Sequence, residues 1–236
     1  QLAVALAEQY EEGVYATVGL HPVHTSKSFH DAQELETDSG ADAEGFTSRG
    51  EQFDFEFYKK RALHPKVVAI GECGLDYYRL ESDTVAKQKE AFVAQIELAN
   101  EVGKPLMLHI RPGAGGDAYC DAWELLKAHA KVLGNVHFFA GTREDAQRFF
   151  DIGYTISFTG VITFTHDYDE VILNTPLDMI MSETDSPYVT PAPHRGKRNE
   201  PVYVKEVVKK IAEIKKTDFE TVRAQLRENA RMSFGF

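Results

Sequence analysis

Metal-binding side chains stand at or near the ends of four separate apolar runs of this sequence. They are two carboxylates and two imidazoles: Glu72, His109, His137 and Asp185. Carboxylate oxygens and imidazole nitrogens together form a mixed ligand set that suits Zn²⁺, Mn²⁺ or a related divalent ion. A buried acid or histidine on a strand is unfavourable unless it is paired or ligated, so four of them favour a shared explanation. Each one alone is also typical of a hydrogen-bonded core or turn residue.

Three further residues are candidates for substrate contacts. His21, before Pro22, either contacts a substrate phosphate or braces the turn. Arg111, two residues after His109, either binds a phosphate through two guanidinium N–H groups or pairs with a neighbouring carboxylate. Arg198 belongs to a basic cluster that either steers an anionic substrate or is a solvated loop, and taken alone it is more typical of a structural role.

The elements that must position these residues alternate between strand and helix patterns. Six apolar runs have strand character: 14–20, 67–71, 105–110, 135–139, 154–158 and 177–181. Helical spacing over 84–102, 117–133 and 143–152 ends in each case at a glycine, which is typical of helix termini. This alternation predicts an α/β fold with parallel strands. Chemically capable residues at several strand ends favour a TIM-type (β/α)8 barrel over a doubly wound open sheet, which stays an alternative.

The chain length fits one large domain. We expect residues 1–236 to form a single metal-dependent hydrolase barrel, with an acidic surface insertion at about 25–57. Six strand runs are too few for eight strands, and the chain opens in a helix-like stretch. The sequence therefore predicts that about the first two β/α units, on the order of 40–50 residues, are missing before Gln1.

Composition excludes several classes of protein. With 43% hydrophobic and 27% charged residues, the chain resembles a globular protein, and no apolar run approaches the ~20 residues of a membrane helix. Two cysteines and no signal peptide favour a reduced, cytoplasmic setting, with a monomer as the default. The net charge of −11 argues against a protein that coats nucleic acid. It does not exclude an enzyme that meets phosphates through bound metal ions.

Several sequence strings appear in an order that resembles the TatD family of metal-dependent deoxyribonucleases, within the amidohydrolase superfamily. The resemblance runs from about Val14 to the C-terminus. It rests on the segments GLHP at 19–22, GECGLDYYR at 71–79, LHIR at 108–111, VHFFAG at 136–141, ETDSPY at 183–188 and RNEP at 198–201.

The resemblance implies a barrel that holds two divalent ions, Mg²⁺, Mn²⁺ or Zn²⁺, and cleaves DNA. Glu72 matches the carboxylate that bridges both ions, and His109 and His137 match the two strand-end histidine ligands. Asp185 matches the acidic ligand of the last strand, which also accepts a proton from the attacking water. The activity it implies is hydrolysis of DNA phosphodiester bonds, usually as a 3′–5′ exonuclease.

One departure from the family keeps alternatives open. The family begins with a His-x-His pair on its first strand, and this sequence contains none; His21 and His24 are three apart on a later strand. One alternative is an amidohydrolase-type enzyme for a small amide, ester or phosphoester, because similar ligands serve both chemistries. The other is a non-catalytic binding relative, if the His-x-His strand is truly absent.

Overall fold

The structure is a computed structural model, and it describes residues 2–27, 29–30, 46–48, 50–78 and 84–236. Its strands are β1 Ala16–Val18, β2 Phe29–His30, β3 Phe46–Thr47, β4 Val67–Asp76, β5 Leu106–Arg111, β6 Gly134–His137, β7 Thr155–Phe158 and β8 Ile180–Ser182. Its helices are α1 Leu2–Ala7, α2 Phe55–Ala62, α3 Thr84–Val102, α4 Ala118–His129, α5 Arg143–Phe150, α6 Asp169–Asn174, α7 Val204–Lys215 and α8 Phe219–Phe234. Within these described ranges, no helix is both long and apolar enough to cross a bilayer.

The chain divides into two compact units, each with parallel strands. The first comprises Gln1–Ser28, Ser48–Val136 and Met232–Phe236, and the second comprises Phe29–Thr47 and His137–Arg231. The strands of the first unit follow the order β1-β4-β5-β6, and β7 and β8 of the second unit are neighbours. In the second unit, β2 and β3 also pair as an antiparallel hairpin.

This arrangement confirms an α/β fold of parallel strands joined by helices. In the described part of each unit, sheet order follows chain order, without the reversal that marks a doubly wound sheet. The order is the one that a TIM-type barrel requires. A single domain over residues 1–236 stays a prediction, and the interior of the acidic insertion, 31–45, lies outside the described residues.

Helix α3 spans the residues that the sequence pattern predicts, Thr84–Val102. Phe92, Ile96 and Ala99 are fully buried, as their spacing of three to four residues predicts. The helix ends before Gly103, whose φ of +65° is the left-handed conformation that glycine adopts at little cost. Helix α3 therefore packs a buried face onto the first unit, on which these apolar residues lie beside the buried Gln88 and Gln95.

Three local predictions were wrong. The helix expected over 117–133 ends at His129, because Ala130 takes an extended conformation, and Gly134 begins strand β6 instead of ending the helix. The strand run at 177–181 divides into a 3-10 turn, Leu177–Met179, and the shorter strand β8, because Asn229 donates to the carbonyls of Leu177 and Ile180 at 2.8 and 2.7 Å. Strand β4 continues beyond residue 71 to Asp76, where it still pairs with β5. Glu72 therefore lies within a strand and not after its end.

Candidate functional site

Three side chains of the first unit form a cluster that could hold a metal ion. His21, Glu72 and His109 are half-buried, and one donor atom from each lies within 4.8 Å of the other two. His21 Nε2 is 3.3 Å from Glu72 Oε2, and the rings of His21 and His109 are 4.3 Å apart between centroids. Neither sequence alternative for His21, a substrate contact or support of the turn, included its closeness to two expected metal ligands.

Strand alternation explains why His109 and Arg111 share a face of β5. Residues 107, 109 and 111 are half-buried, whereas residues 106, 108 and 110 are fully buried on the opposite face. Gly74 pairs with His109 across β4 and β5. A β-carbon at Gly74 would collide with the carbonyl oxygen of His109, so glycine allows the two strands to approach at the site.

A buried carboxylate holds one nitrogen of the His109 ring. Asp76, 3% exposed, places Oδ2 2.9 Å from His109 Nε2, and its Oδ1 accepts the Tyr78 N–H at 3.0 Å. Burial tends to raise the pKa of Asp76, but the hydrogen bond and charge of His109, the Tyr78 N–H and the charge of Arg111 together lower it. Asp76 is therefore ionised at neutral pH, and it directs Nδ1 of His109 as the nitrogen for a ligand.

His21 differs because a backbone group holds its ring. Its Nδ1 accepts the Val23 N–H at 3.4 Å, at the start of the 3-10 turn Pro22–Thr25. Burial and the charge of His109 lower the pKa of His21 to about 4, against the opposing hydrogen bond and charge of Glu72. His21 is thus neutral at pH 7, with its proton on Nε2, the nitrogen that faces Glu72.

The second unit contains a similar carboxylate–imidazole pair. Glu183 Oε2 bonds Nδ1 of His137, while its Oε1 accepts the Phe138 N–H at 2.7 Å and the Ser157 hydroxyl at 2.6 Å. Burial tends to raise the pKa of Glu183, but the charge and hydrogen bond of His137, with the Ser157 and Phe138 donors, lower it. His137 Nε2 then faces Asp185, whose Oδ1 lies 3.9 Å away.

The separation of 3.9 Å between His137 and Asp185 fits two ligands of one ion. Ligands bound at about 2.0–2.2 Å to the same cation can be no more than about 4.4 Å apart. The two expected metal ligands of the second unit therefore lie together, as do Glu72 and His109 of the first. That all four side chains serve one centre stays a prediction.

The two arginines predicted to bind substrate have different surroundings. The Arg111 guanidinium lies 3.9 Å from the ring centroid of Tyr78, an arrangement that the sequence alternatives of phosphate contact or salt bridge did not include. Arg198 is exposed, on the loop before the 3-10 turn Pro201–Tyr203. Its neighbour Arg195 lies over Phe164 and donates to the Thr190 carbonyl at 3.0 Å, so part of the basic cluster supports the loop.

Sequence reasoning missed the two carboxylates that hold the imidazoles. Asp76 and Glu183 both belong to the strings that carry the family resemblance, but neither was assigned a role. A signal was present, because metal-binding histidines are usually oriented by a carboxylate and each string contains more than one acidic residue.

Comparison with known proteins agrees with this chemistry. The family model described as TatD related DNase matches residues 1–235. The uncharacterized metal-dependent hydrolase YabD of Bacillus subtilis is 38% identical over 236 residues, which cover 98% of this chain and 81% of YabD. The 3'-5' ssDNA/RNA exonuclease TatD of Edwardsiella piscicida is 31% identical over 241 residues, covering 98% of this chain and 82% of that protein.

A solved structure shows the same fold. The crystal structure of YjjV, a TatD homologue from Escherichia coli K12, superposes with a TM-score of 0.78 at 27% identity. The superposition covers 100% of this chain and 82% of YjjV. Because the family model spans almost the whole sequence and relatives above 30% identity cover nearly all of it, this chain belongs to the TatD family of metal-dependent hydrolases.

Proposed function

We propose that this protein is a metal-dependent nuclease that hydrolyses phosphodiester bonds of DNA from the 3′ end with two divalent ions. The observation that carries the proposal is the pair of imidazoles held by ionised carboxylates, Asp76 with His109 and Glu183 with His137. A carboxylate on one ring nitrogen fixes the tautomer and makes the other nitrogen a better metal ligand. The exonuclease name of the Edwardsiella relative supports nucleic acid as the substrate.

The residues present fit a divalent cation. The ligand set of the proposal is Glu72, His109, His137 and Asp185. This mixture of nitrogen and oxygen donors suits Zn²⁺ or Mn²⁺, and its two carboxylates also suit Mg²⁺, which prefers oxygen ligands. When bound, such ions lower the pKa of a water molecule and neutralise charge on the phosphate.

The chain's own side chains supply the remaining chemistry. Asp185 accepts the proton of the attacking water, because its carboxylate lies beside the expected ligand His137. His21, neutral with a proton on Nε2, donates a hydrogen bond to a substrate phosphate oxygen when the substrate replaces its contact with Glu72. Arg111 and Arg198 add positive charge for the DNA backbone.

The test is a nuclease assay on single-stranded DNA carrying a label at either end, with RNA and a small phosphoester in parallel. We expect stepwise loss from the 3′ end that EDTA abolishes and that Mg²⁺, Mn²⁺ or Zn²⁺ restores. Glu72→Gln is expected to lower turnover by about a hundredfold or more, the scale of losing one group that stabilises the transition state. Glu97→Gln, an exposed glutamate of α3, is the control and should leave turnover unchanged.

Three outcomes would contradict parts of the proposal. Hydrolysis of the small phosphoester with intact DNA would remove DNA as the substrate. Loss from the 5′ end would reverse the polarity. Full activity of Glu72→Gln in the presence of metal would remove Glu72 from the reaction.

A further inference from the structure

Helix α3 carries three amide side chains that each bond the backbone of another segment through both a donor and an acceptor. Gln88 Oε1 accepts the Asp76 N–H at 2.7 Å, and its Nε2 donates to the Asp76 carbonyl at 2.8 Å. Gln95 Oε1 accepts the Leu20 N–H at 2.7 Å, and its Nε2 donates to the Leu20 carbonyl at 3.0 Å. Each glutamine therefore pairs with a residue as a neighbouring strand would.

The third amide makes a similar pair of bonds elsewhere. Asn100 Oδ1 accepts the Lys131 N–H at 2.7 Å, and its Nδ2 donates to the His129 carbonyl at 2.8 Å. These partners lie at the end of α4 and beyond it, and neither is a residue of the candidate site or a sequence neighbour of one, since Lys131 is six residues before His137. Asn100 therefore serves as a control, because it makes the same kind of hydrogen bonds to backbone groups that do not belong to site residues or their neighbours.

The two glutamines lie on one buried face of the helix. Gln88 and Gln95 are 2% and 1% exposed, and their separation of seven positions makes about two turns of helix. A buried amide without partners is unfavourable, so these positions fix the helix and the backbone segments relative to one another. Gly19 leaves the required space, because a β-carbon there would lie 2.9 Å from Gln95 Oε1.

The two glutamines differ from Asn100 in the backbone segments that they bond. Leu20 immediately precedes His21, so fixing the Leu20 backbone fixes the origin of the His21 side chain. Asp76 carries the carboxylate that bonds His109 Nε2, so fixing its backbone fixes that carboxylate and, through it, the imidazole.

We propose that Gln88 and Gln95 are positioning residues of the candidate site, with separate targets. Gln95 sets the place of His21 through Leu20, and Gln88 sets the orientation of His109 through Asp76. Helix α3 thus aligns two site residues from different segments, His21 at the start of a 3-10 turn and His109 on strand β5. The metal-binding and kinetic consequences rest on the proposed function, whereas the orientation of the two rings does not.

The experiment compares Gln88→Met, Gln95→Met and the control Asn100→Leu in otherwise intact protein. Methionine keeps the length of the side chain and removes both hydrogen bonds. The first measurement is the ¹⁵N spectrum of the imidazoles in metal-free protein, which reports the protonated nitrogen of each ring. We expect Gln88→Met to alter the His109 signals, Gln95→Met to alter the His21 signals, and Asn100→Leu to alter neither, although all three lower the free energy of unfolding.

The second measurement is Mn²⁺ affinity together with steady-state kinetics on single-stranded DNA. Gln88→Met is expected to weaken Mn²⁺ binding about tenfold, the lower end of the effect of losing support behind a metal ligand. Gln95→Met is expected to lower kcat about tenfold with Mn²⁺ affinity and KM unchanged, since misplacement of a catalytic contact reduces turnover. Asn100→Leu should change none of these values.

The outcomes separate this inference from the proposed function. If the parent protein binds no metal and cuts no DNA, the function fails while the imidazole spectra still test the glutamines. If all three variants lose stability equally and the His21 and His109 signals stay as in the parent, the glutamines have only a folding role and the inference is overturned. Should the methionine variants fail to fold, Gln88→Glu and Gln95→Glu replace them, because an ionised glutamate keeps the acceptor and loses the donor to the backbone carbonyl, and the same changes in the His109 and His21 signals are expected.

Discussion

The two carboxylate–imidazole pairs are built in similar ways but hold opposite nitrogens. In the first unit, Asp76 bonds Nε2 of His109, which leaves Nδ1 as the ligand nitrogen. In the second unit, Glu183 bonds Nδ1 of His137, so that Nε2 faces Asp185. The choice of nitrogen follows from where each carboxylate lies relative to its ring, and not from the residue types alone.

The pairs also differ in how strongly each is enclosed. Glu183 accepts from three donors, His137, Phe138 and Ser157, whereas Asp76 accepts from His109 and the Tyr78 N–H. The His137 side chain is 10% exposed and that of His109 is 20% exposed, whereas the carboxylates rank in the opposite order, Glu183 at 19% and Asp76 at 5%. The number of donors therefore decides the comparison, and we expect the His137 pair, whose carboxylate bonds three donors, to be the more sensitive of the two.

The largest effect is expected from Glu183→Gln. If the amide oxygen keeps the Phe138 and Ser157 donors, its NH₂ group points to His137 Nδ1, which must then accept. The ring proton moves to Nε2, and the nitrogen that faces Asp185 loses its lone pair. We expect metal affinity, measured by titration calorimetry, to fall about a hundredfold.

Glu170→Gln is the matched control for this change, because Glu170 is an exposed glutamate of α6 in the same unit. Its metal affinity should equal that of the parent protein. An unchanged dissociation constant in Glu183→Gln would show that the carboxylate does not orient His137, and the comparison of the two pairs would lose its basis.

The stability of the first unit should depend on pH through His21, whose ring is held by a backbone group. Its folded pKa of about 4 lies below the ordinary 6.5, so the folded state takes up a proton less readily than the unfolded state. The stability it contributes is full above pH 6.5 and is lost as the pH falls toward 4. We expect the free energy of unfolding to fall by about 2 kcal/mol over this range, when it is measured on metal-free protein with a chelator present.

His21→Asn isolates that contribution, since asparagine can still accept the Val23 N–H at the start of the turn. Denaturant unfolding at pH 7 and at pH 4.5 should show a smaller loss for the variant than for the parent. Equal losses in both proteins would mean that His21 takes up its proton as readily in the folded state as in the unfolded state.

Features that depend on residues close together in the sequence could be predicted. Helix α3 was predicted over its full length because its apolar spacing and Gly103 are local signals. Alternation along β5 likewise places His109 and Arg111 on one face. A local signal misled at Gly134, because α4 already ends at His129 and Gly134 begins strand β6.

Features that depend on strand register could not be predicted. Asp76 and His109 are 33 residues apart in sequence, and Glu183 and His137 are 46 apart. Which carboxylate meets which ring nitrogen depends on how strands pair and on side-chain direction, and a shift of one residue would turn either side chain to the opposite face. The closeness of His21 to Glu72 depends in the same way on the approach of β1 to β4.

The smallest effect is expected from Asp76→Asn, which makes the same chemical change in the less enclosed pair. The amide can still accept the Tyr78 N–H, and its NH₂ group would turn His109 Nε2 into an acceptor and place the proton on Nδ1. Because His109 is the more exposed ring and its carboxylate bonds fewer donors, the ring can turn more readily to present an unprotonated nitrogen. We therefore expect metal affinity to fall only about tenfold.

Asp54→Asn is the control for Asp76→Asn, because Asp54 caps α2 in the same unit and asparagine caps a helix equally well. The decisive quantity is the ratio between the two losses of affinity, measured with one metal under one set of conditions. A larger loss for Glu183→Gln than for Asp76→Asn means that enclosure of the imidazole sets the dependence on its carboxylate. Equal losses would mean that the hydrogen bond alone sets this dependence, whichever ring nitrogen is bonded. A larger loss for Asp76→Asn would reverse the ranking of the two pairs.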